Sequence, residues 1–318
     1  MIVVPDDLGA RLQAGEKRAL ARAITIAETD DQAGWRLVQD VYATTGDAAI
    51  VGITGPPGAG KSTLINALTT VRRAQQRDVA VLSVDPSSPF TNGAVLGDRI
   101  RLTEHYLDPG VFIRSMANRG ALGGLSGAAL QATLLMDASG KDDVFIETVG
   151  VGQAEVDIVT LADTVVLVLV PGSGDAVQAL KAGVMEIPDV IVVNKADHPT
   201  AGALMQQVRS ALSLVPHEGE TWKVPLLKVQ SDTGVGIEAL ADAIDEHRRF
   251  LAAGGTLIAR REERLREAVL TLAGRAFRRR LVAAASDDAA VAALLASTAR
   301  SEIDPFTASS ALLERLAR

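Results

Sequence analysis

Residues 55–62 read Gly55-Pro56-Pro57-Gly58-Ala59-Gly60-Lys61-Ser62, a phosphate-binding loop of the form G-x-x-x-x-G-K-[ST], and this segment restricts the fold more tightly than any other. Such a loop works only between a buried strand and the first turn of a helix. Its glycines turn successive backbone N–H groups inward, and the helix N-terminus adds its positive end to the same anion nest. Both flanks are present. Ala48-Ala49-Ile50-Val51-Gly52-Ile53-Thr54 is short, apolar and β-branched, and after the loop Leu64, Ile65, Leu68 and Val71 recur near helical spacing. A chance match in a chain of this length has a frequency of about 1%, so the segment reads as a nucleotide site. Gly55, Gly58, Ala59, Gly60 and Thr63 line the phosphate cradle, Lys61 reaches the β- and γ-phosphates, and Ser62 ligates Mg²⁺.

The rest of the chain supplies a sheet to carry that loop. Strand patterns recur at 48–54, 79–84, 111–114, 143–148, 164–170, 190–194 and 224–229, with helical stretches at 61–76, 121–139, 174–185 and 200–215 between them. This alternation predicts an α/β fold: a P-loop NTPase domain with a mainly parallel sheet covered by helices on both faces. Ligands then bind beyond the carboxyl ends of the strands. Before it, residues 1–47 read as a helical extension with apolar positions Leu20, Ile24, Ala27, Trp35, Val38, Val41 and Tyr42. Residues 48–253 form the nucleotide domain. After Gly254-Gly255 strand signals stop, and 254–318 reads as a helical region led by an amphipathic helix over 258–283 with Leu265, Val269, Leu272 and Phe277 on one side.

Composition narrows the function further. The 318 residues are 47% hydrophobic and carry a net charge of −7, which argues against nucleic acid as the main partner, since phosphate backbones demand a concentrated basic surface. The arginines between 260 and 280 alternate with Glu262, Glu263 and Glu267 and read as a solvated helix face. Zero cysteines exclude disulfides and thiolate metal sites and suit a reducing compartment. No uncharged apolar stretch approaches the roughly 18 residues of a membrane span, and the amino terminus carries no signal-peptide pattern. The expectation is a cytoplasmic protein with no membrane or nucleic-acid partner.

Four further segments fall at predicted strand ends. Asn194-Lys195-Ala196-Asp197 follows Val190-Ile191-Val192-Val193 and has the N-K-x-D form that selects guanine. A carboxylate at Asp197 accepts from the ring N–H and the exocyclic amine of guanine together, a donor pair that adenine lacks. Asp85, before Pro86-Ser87-Ser88, is a candidate Mg²⁺ ligand, as is Asp98 in Gly97-Asp98-Arg99. Glu147 and Gly150, in Glu147-Thr148-Val149-Gly150, occupy the place where a nucleotide switch senses the γ-phosphate. Ser231, after the last strand, belongs to a loop that backs the base.

Together these segments resemble the MeaB-type G-protein chaperones of adenosylcobalamin-dependent acyl-CoA mutases, the methylmalonyl-CoA mutase-associated GTPases. The likeness rests on Gly55–Thr63, Asp85–Thr91, Gly97–Arg101, Phe112–Met116, Glu147–Glu155 and Asn194–Asp197, and covers most of residues 15–252. It implies a homodimeric GTPase that binds GTP or GDP with Mg²⁺ and loads or protects a mutase, with dimerisation through the carboxyl-terminal helices. By the same resemblance Ser62, Asp85, Asp98 and Glu147 fall on metal and catalytic positions, with Lys61, Asp98 and Glu147 catalytic, and residues 171–188, including Asp175 and Lys181, form an additional switch loop facing the mutase. Two places depart from the family pattern: Gln230-Ser231-Asp232 replaces a Ser-Ala core, and Ser126-Gly127-Ala128-Ala129 lacks a basic residue. A P-loop kinase or other phosphotransferase, and a GTPase metallochaperone, are the alternatives. The guanine motif disfavours the first, and the lack of cysteine with four scattered histidines disfavours the second.

Overall fold

The computed structural model describes residues 3–86, 104–118, 127–148, 158–172, 187–213 and 221–316. Asp98, Gly150, Asp175 and Lys181 lie outside them, as does the helix expected at 174–185. The described chain divides into two compact units, Met1–Arg260 and Arg261–Arg318.

In the first unit, α1 (Leu8–Gln13), α2 (Lys17–Thr29) and α3 (Asp31–Val41) precede β1 (Ala49–Thr54), α4 (Lys61–Ala74), β2 (Val79–Pro86) and β3 (Val111–Asn118). There follow α5 (Gly127–Ala138), β4 (Asp143–Thr148), β5 (Thr164–Leu169), β6 (Val190–Val193), α6 (Ala201–Leu212), β7 (Leu226–Lys228) and α7 (Ile237–Ala253). The helix α8 (Thr256–Asp287) starts there. The second unit holds most of α8, with α9 (Ala289–Ala299) and α10 (Pro305–Leu316).

Seven strands form one sheet in the order β3-β2-β4-β1-β5-β6-β7, every neighbouring pair parallel. Parallel pairing requires a crossover between strands, and the crossovers cover both faces, so strands such as Ala49–Thr54 are buried on both sides and read as continuous apolar runs. On one face Ile50, Leu82, Val144 and Ile146 pack with Leu20, Ile24, Leu37, Val38 and Leu135, which makes the amino-terminal helices and α5 one layer. Leu167, Leu169, Ile191 and Val193 extend that face toward Leu204, Met205 and Val208 of α6. On the other face Val51, Ile53, Val81 and Val168 meet Leu64, Ile65 and Leu68 of α4 and Leu240 and Ile244 of α7.

The strands match the sequence pattern to within a few residues, and the long carboxyl-terminal helix runs a little beyond both of its expected ends. Two local readings need correction. Tyr42 belongs to no buried stripe: it starts a short 3-10 turn after α3 and is exposed. Residues 237–253 carry a 17-residue helix, α7, that the sequence reading did not name. Its apolar residues Ile237, Leu240, Ala241, Ile244 and Leu251 have helical spacing between Gly236 and Gly254.

A buried ion network fastens α4 to α7 and to the amino end of β4. Arg72 is fully buried; its Nη1 and Nη2 donate to Asp245 at 2.7 and 2.8 Å, and Nη2 also donates to the Ala241 carbonyl at 3.2 Å. Asp143, also buried, stands 3.7 Å from Arg72 Nε and accepts from Arg77 at 2.6 and 3.0 Å. Removing Arg72 leaves buried Asp143 with Arg77 alone and Asp245 partly exposed without its guanidinium, at a cost of up to about 3–5 kcal/mol, that of breaking a fully buried pair. Arg72→Ala is therefore expected to lower the unfolding free energy of the first unit by up to that amount in urea denaturation; a loss below about 1 kcal/mol, the range of an exposed ion pair, would refute the assignment. Among the described residues no single helix is long and apolar enough to cross a membrane.

Candidate functional site

The carboxyl ends of β1, β4, β5 and β6 converge on residues 55–62. Gly55 has φ 141°, and a Cβ there would lie 2.2 Å from the Val168 carbonyl oxygen of β5, so only glycine lets the loop leave β1 this close to its neighbour. Gly60, with φ 85°, caps α4, and its absent side chain makes room for the Asn194 amide, which a Cβ would meet at 2.5 Å. The loop thus closes between two strands and delivers the chain into α4 with its amino terminus, the positive end of the helix, at the cradle.

Lys61 is buried. Its ammonium folds back and donates to the carbonyls of Gly55 at 2.6 Å and Pro56 at 3.2 Å. The neighbouring hydroxyl of Ser62, also buried, donates to Glu147 Oε1 at 2.7 Å. Glu147 reaches Ser62 because β4 pairs with β1 in a register that sets Glu147 opposite Ile53, on the face that carries α4. Ala59 is buried, while Thr63 points to solvent.

The N-K-x-D segment lies on the same rim. Asn194 is buried, and its side chain joins two loops: Nδ2 donates to the Ala59 carbonyl at 2.9 Å, and Oδ1 accepts from the Ser231 N–H at 3.2 Å and the Ser231 hydroxyl at 2.8 Å. Lys195, in the left-handed region at φ 53°, donates its ammonium to the Gly58 carbonyl at 3.3 Å. The Ala196 N–H donates to the Val229 carbonyl at 3.1 Å, which ties the segment to the end of β7, and Asp197 is exposed. Ser231, despite the departure in its loop, is buried against Asn194.

The structure therefore brings together Gly55, Gly58, Ala59, Gly60, Lys61, Ser62, Glu147, Asn194, Lys195 and Ser231. Asp85 sits near the end of β2, whose backbone pairs with β3 and β4. Asp98 and Gly150 lie outside the described residues. Sequence reasoning assigned Asn194 to the nucleotide but not to the joining of loops, which no spacing reveals. It also passed over Thr54 and Thr148, buried hydroxyls beside the loop and beside Glu147, with no hydrogen-bond partner among the described residues.

The chemistry of this rim is anion binding beside a hard-cation position. Ser62 and Glu147 offer two oxygen donors, which suits Mg²⁺, an ion that takes few protein ligands and completes its shell with phosphate and water. Among the described residues no group of three His, Asp or Glu side chains could hold a metal by itself.

Comparison with known proteins identifies the family. The family model for methylmalonyl-CoA mutase-associated GTPase MeaB matches residues 20–286. A Pyrococcus horikoshii protein named as a GTPase is 46% identical over 314 residues, covering 98% of each chain. The GTPase ArgK of Escherichia coli is 35% identical over 254 residues, 78% of this chain and 77% of that one. Among solved structures, the crystal structure of an LAO/AO transport system kinase superposes with a TM-score of 0.74 at 26% identity and covers both chains fully. With the phosphate loop, the N-K-x-D segment and the parallel sheet in the arrangement described, this chain belongs to the methylmalonyl-CoA mutase-associated GTPase family, MeaB.

Proposed function

We propose that this chain is a Mg²⁺-dependent GTP hydrolase that acts as a chaperone for an adenosylcobalamin-dependent acyl-CoA mutase, governing the loading and protection of its cofactor. GTP hydrolysis is the activity of the family to which the chain belongs. The observation that carries the nucleotide reading is the Asn194 side chain, which holds the phosphate loop and the base-side loop in one frame. In this reading the loop N–H groups and Lys61 bind the phosphates, and Lys61 exchanges the Gly55 and Pro56 carbonyls for phosphate oxygens, which are stronger acceptors for a cation. Ser62 and Glu147, with Asp85 and Asp98, hold Mg²⁺. The ion, when bound, neutralises charge on the β- and γ-phosphates. Glu147 also orients the attacking water, the N–H of Gly150 meets the γ-phosphate, and Asp197 reads the guanine edge.

The client and assembly follow the family. A mutase engages the rim through the segments 85–101, 147–155 and 171–188, which signal only through contacts that differ between the GTP and GDP states. The protein works in the cytoplasm as a homodimer, joined through Leu265, Val269, Leu272 and Phe277 of α8. No residue of this helix is buried within the chain, and an exposed apolar stripe of this kind favours association with a second copy.

Three measurements test this function. In calorimetry GDP is expected to bind well above ADP, and Asp197→Asn to lose two charge-assisted hydrogen bonds, about 3 kcal/mol or roughly 100-fold, while gaining affinity for xanthine nucleotides. Equal binding of ADP by the native protein overturns the guanine assignment.

Mg²⁺ is expected to tighten GDP binding to the native protein, and Ser62→Ala or Glu147→Gln to remove most of that tightening and lower turnover at least about tenfold. A native dependence on Mg²⁺ retained in both variants would show that the ion is held elsewhere.

Each candidate acyl-CoA mutase is then assayed for GTP hydrolysis and adenosylcobalamin loading with this protein, full length and truncated after residue 255. The true client stimulates hydrolysis by the full-length dimer, and light scattering detects loss of the dimer on truncation. Stimulation by no mutase in either nucleotide state defeats the chaperone reading and leaves the GTPase standing; a full-length monomer defeats the dimer.

A further inference from the structure

Away from the nucleotide rim, an open hollow of about 250 Å³ lies between α2 and the start of β3, the edge strand of the sheet. Ala21, Val111, Phe112 and the ring of Tyr106 furnish its apolar walls, and Lys17 and Arg18 its rim. Beside it Leu107 is 96% exposed, in a turn whose neighbour Tyr106 is itself half exposed. A lone exposed leucine is ordinary; a half-exposed tyrosine beside an open apolar hollow has the makeup of an interface anchor.

Among the described residues, the cations Lys17, Arg18 and Arg22 stand near the hollow against one exposed carboxylate that is bonded only to a neutral amide, Glu104. The other nearby carboxylates are already engaged: Glu16 accepts from Arg11 through both oxygens at 2.7 Å, and Asp108 accepts from Arg73 at 3.0 Å and from the Gly110 N–H at 2.8 Å. Among the described residues no ion pair joins Lys17, Arg18 or Arg22 to a carboxylate. Arg18 and Arg22 stand one turn apart on α2, both exposed, and the Lys17 ammonium donates to the Asp108 carbonyl oxygen. Burial lowers the pKa of Lys17 and the charge of Lys141 adds to that effect, while the carboxylates of Asp108 and Asp78 offset part of it, so an arriving carboxylate would relieve what remains of that cost.

Size separates the possible occupants. Small-molecule sites typically enclose about 300–1,000 Å³ and cover most of their ligand, whereas this hollow is smaller and open, of a size to take one side chain. We infer that it docks an acidic segment of a partner protein, which places one leucine or phenylalanine in the hollow and its carboxylates on Lys17, Arg18 and Arg22. The inference is independent of the mutase reading. The docking turn is also held to α4, the helix that begins at the phosphate loop: Glu104 accepts from the Asn66 amide at 3.1 Å, and His105 Nε2 lies 3.2 Å from the Asn66 carbonyl oxygen.

The test uses the full-length protein and fluorescence anisotropy with the labelled peptide Glu-Asp-Glu-Leu-Phe-Glu-Asp-Glu. Two control peptides are added, one with Ser-Ser for Leu-Phe and one with every carboxylate replaced by its amide. The first peptide is expected to bind in the micromolar range and each control about tenfold or more weaker. Lys17→Glu combined with Arg18→Glu is expected to abolish binding and Tyr106→Ala to weaken it, while GDP affinity stays unchanged as evidence of an intact fold. No binding of the first peptide, equal binding of the serine control, or unaltered binding by the charge-reversed variant overturns the inference. So does a charge reversal that shifts the sedimentation of the protein alone, since the occupant would then be a second copy of this chain.

Discussion

The side chain of Asn194 ties together loops that the backbone would otherwise set separately. Its amide nitrogen holds the Ala59 carbonyl of the phosphate loop, and its oxygen holds both donors of Ser231 in the loop after β7. It reaches Ala59 because Gly60 has no side chain, and the loop comes near because Gly55 passes against Val168. Binding one end of a nucleotide is thereby coupled to the geometry at the other. A site whose phosphate and base halves are held in register by one buried residue does not bear the entropy of aligning them when ligand arrives.

That lock depends on the sheet. Seven parallel strands direct their carboxyl ends to one side, so the ends of β1, β4, β6 and β7 meet there through strand register, and Asn194 then joins the loops after β1 and β7. The alignment of Ile53 with Glu147 brings a carboxylate to Ser62, two residues 85 positions apart in the chain. A slip of one residue in β4 would turn Glu147 to the opposite face, into the layer formed by the amino-terminal helices and α5. Burial of Val144 and Ile146 on that face is therefore what positions Glu147 beside Ser62.

Strands, phosphate loop and guanine motif were legible in the sequence because each depends on local pattern: β-branched apolar runs, glycines at set offsets, a four-residue motif at a strand end. What was missed depends on contacts distant in sequence. Helix α7 carries its own periodic signal, yet its role comes from Arg72, which meets it across 173 positions. Ser231 illustrates the same limit. Its loop departs from the expected core, and only the fold reveals that its N–H and hydroxyl meet Asn194. Tyr42 failed in the other direction, since it continues the apolar period of α3 just beyond the point where the helix gives way to a tighter turn.

The two ends of the sheet use polar groups in different ways. At the amino end Asp189 Oδ2 accepts from the Val165 N–H at 2.9 Å, Oδ1 lies 3.1 Å from His247 and 3.2 Å from Arg260, and the carbonyl accepts from Trp222 at 2.7 Å. Apart from Arg260 and Asp245, which are partly exposed, these are contacts among groups largely enclosed by protein, and together with the Arg72–Asp143–Asp245 network they hold α4, α7 and the strand starts in one body. In the proposed function the corresponding bonds at the carboxyl end are exchangeable. Lys61 donates to neutral carbonyls that a phosphate outcompetes, and Ser62 donates to a carboxylate that a metal ion would take. Polar groups fixed among themselves at one end supply the rigidity that lets those at the other end change partners without loss of the fold.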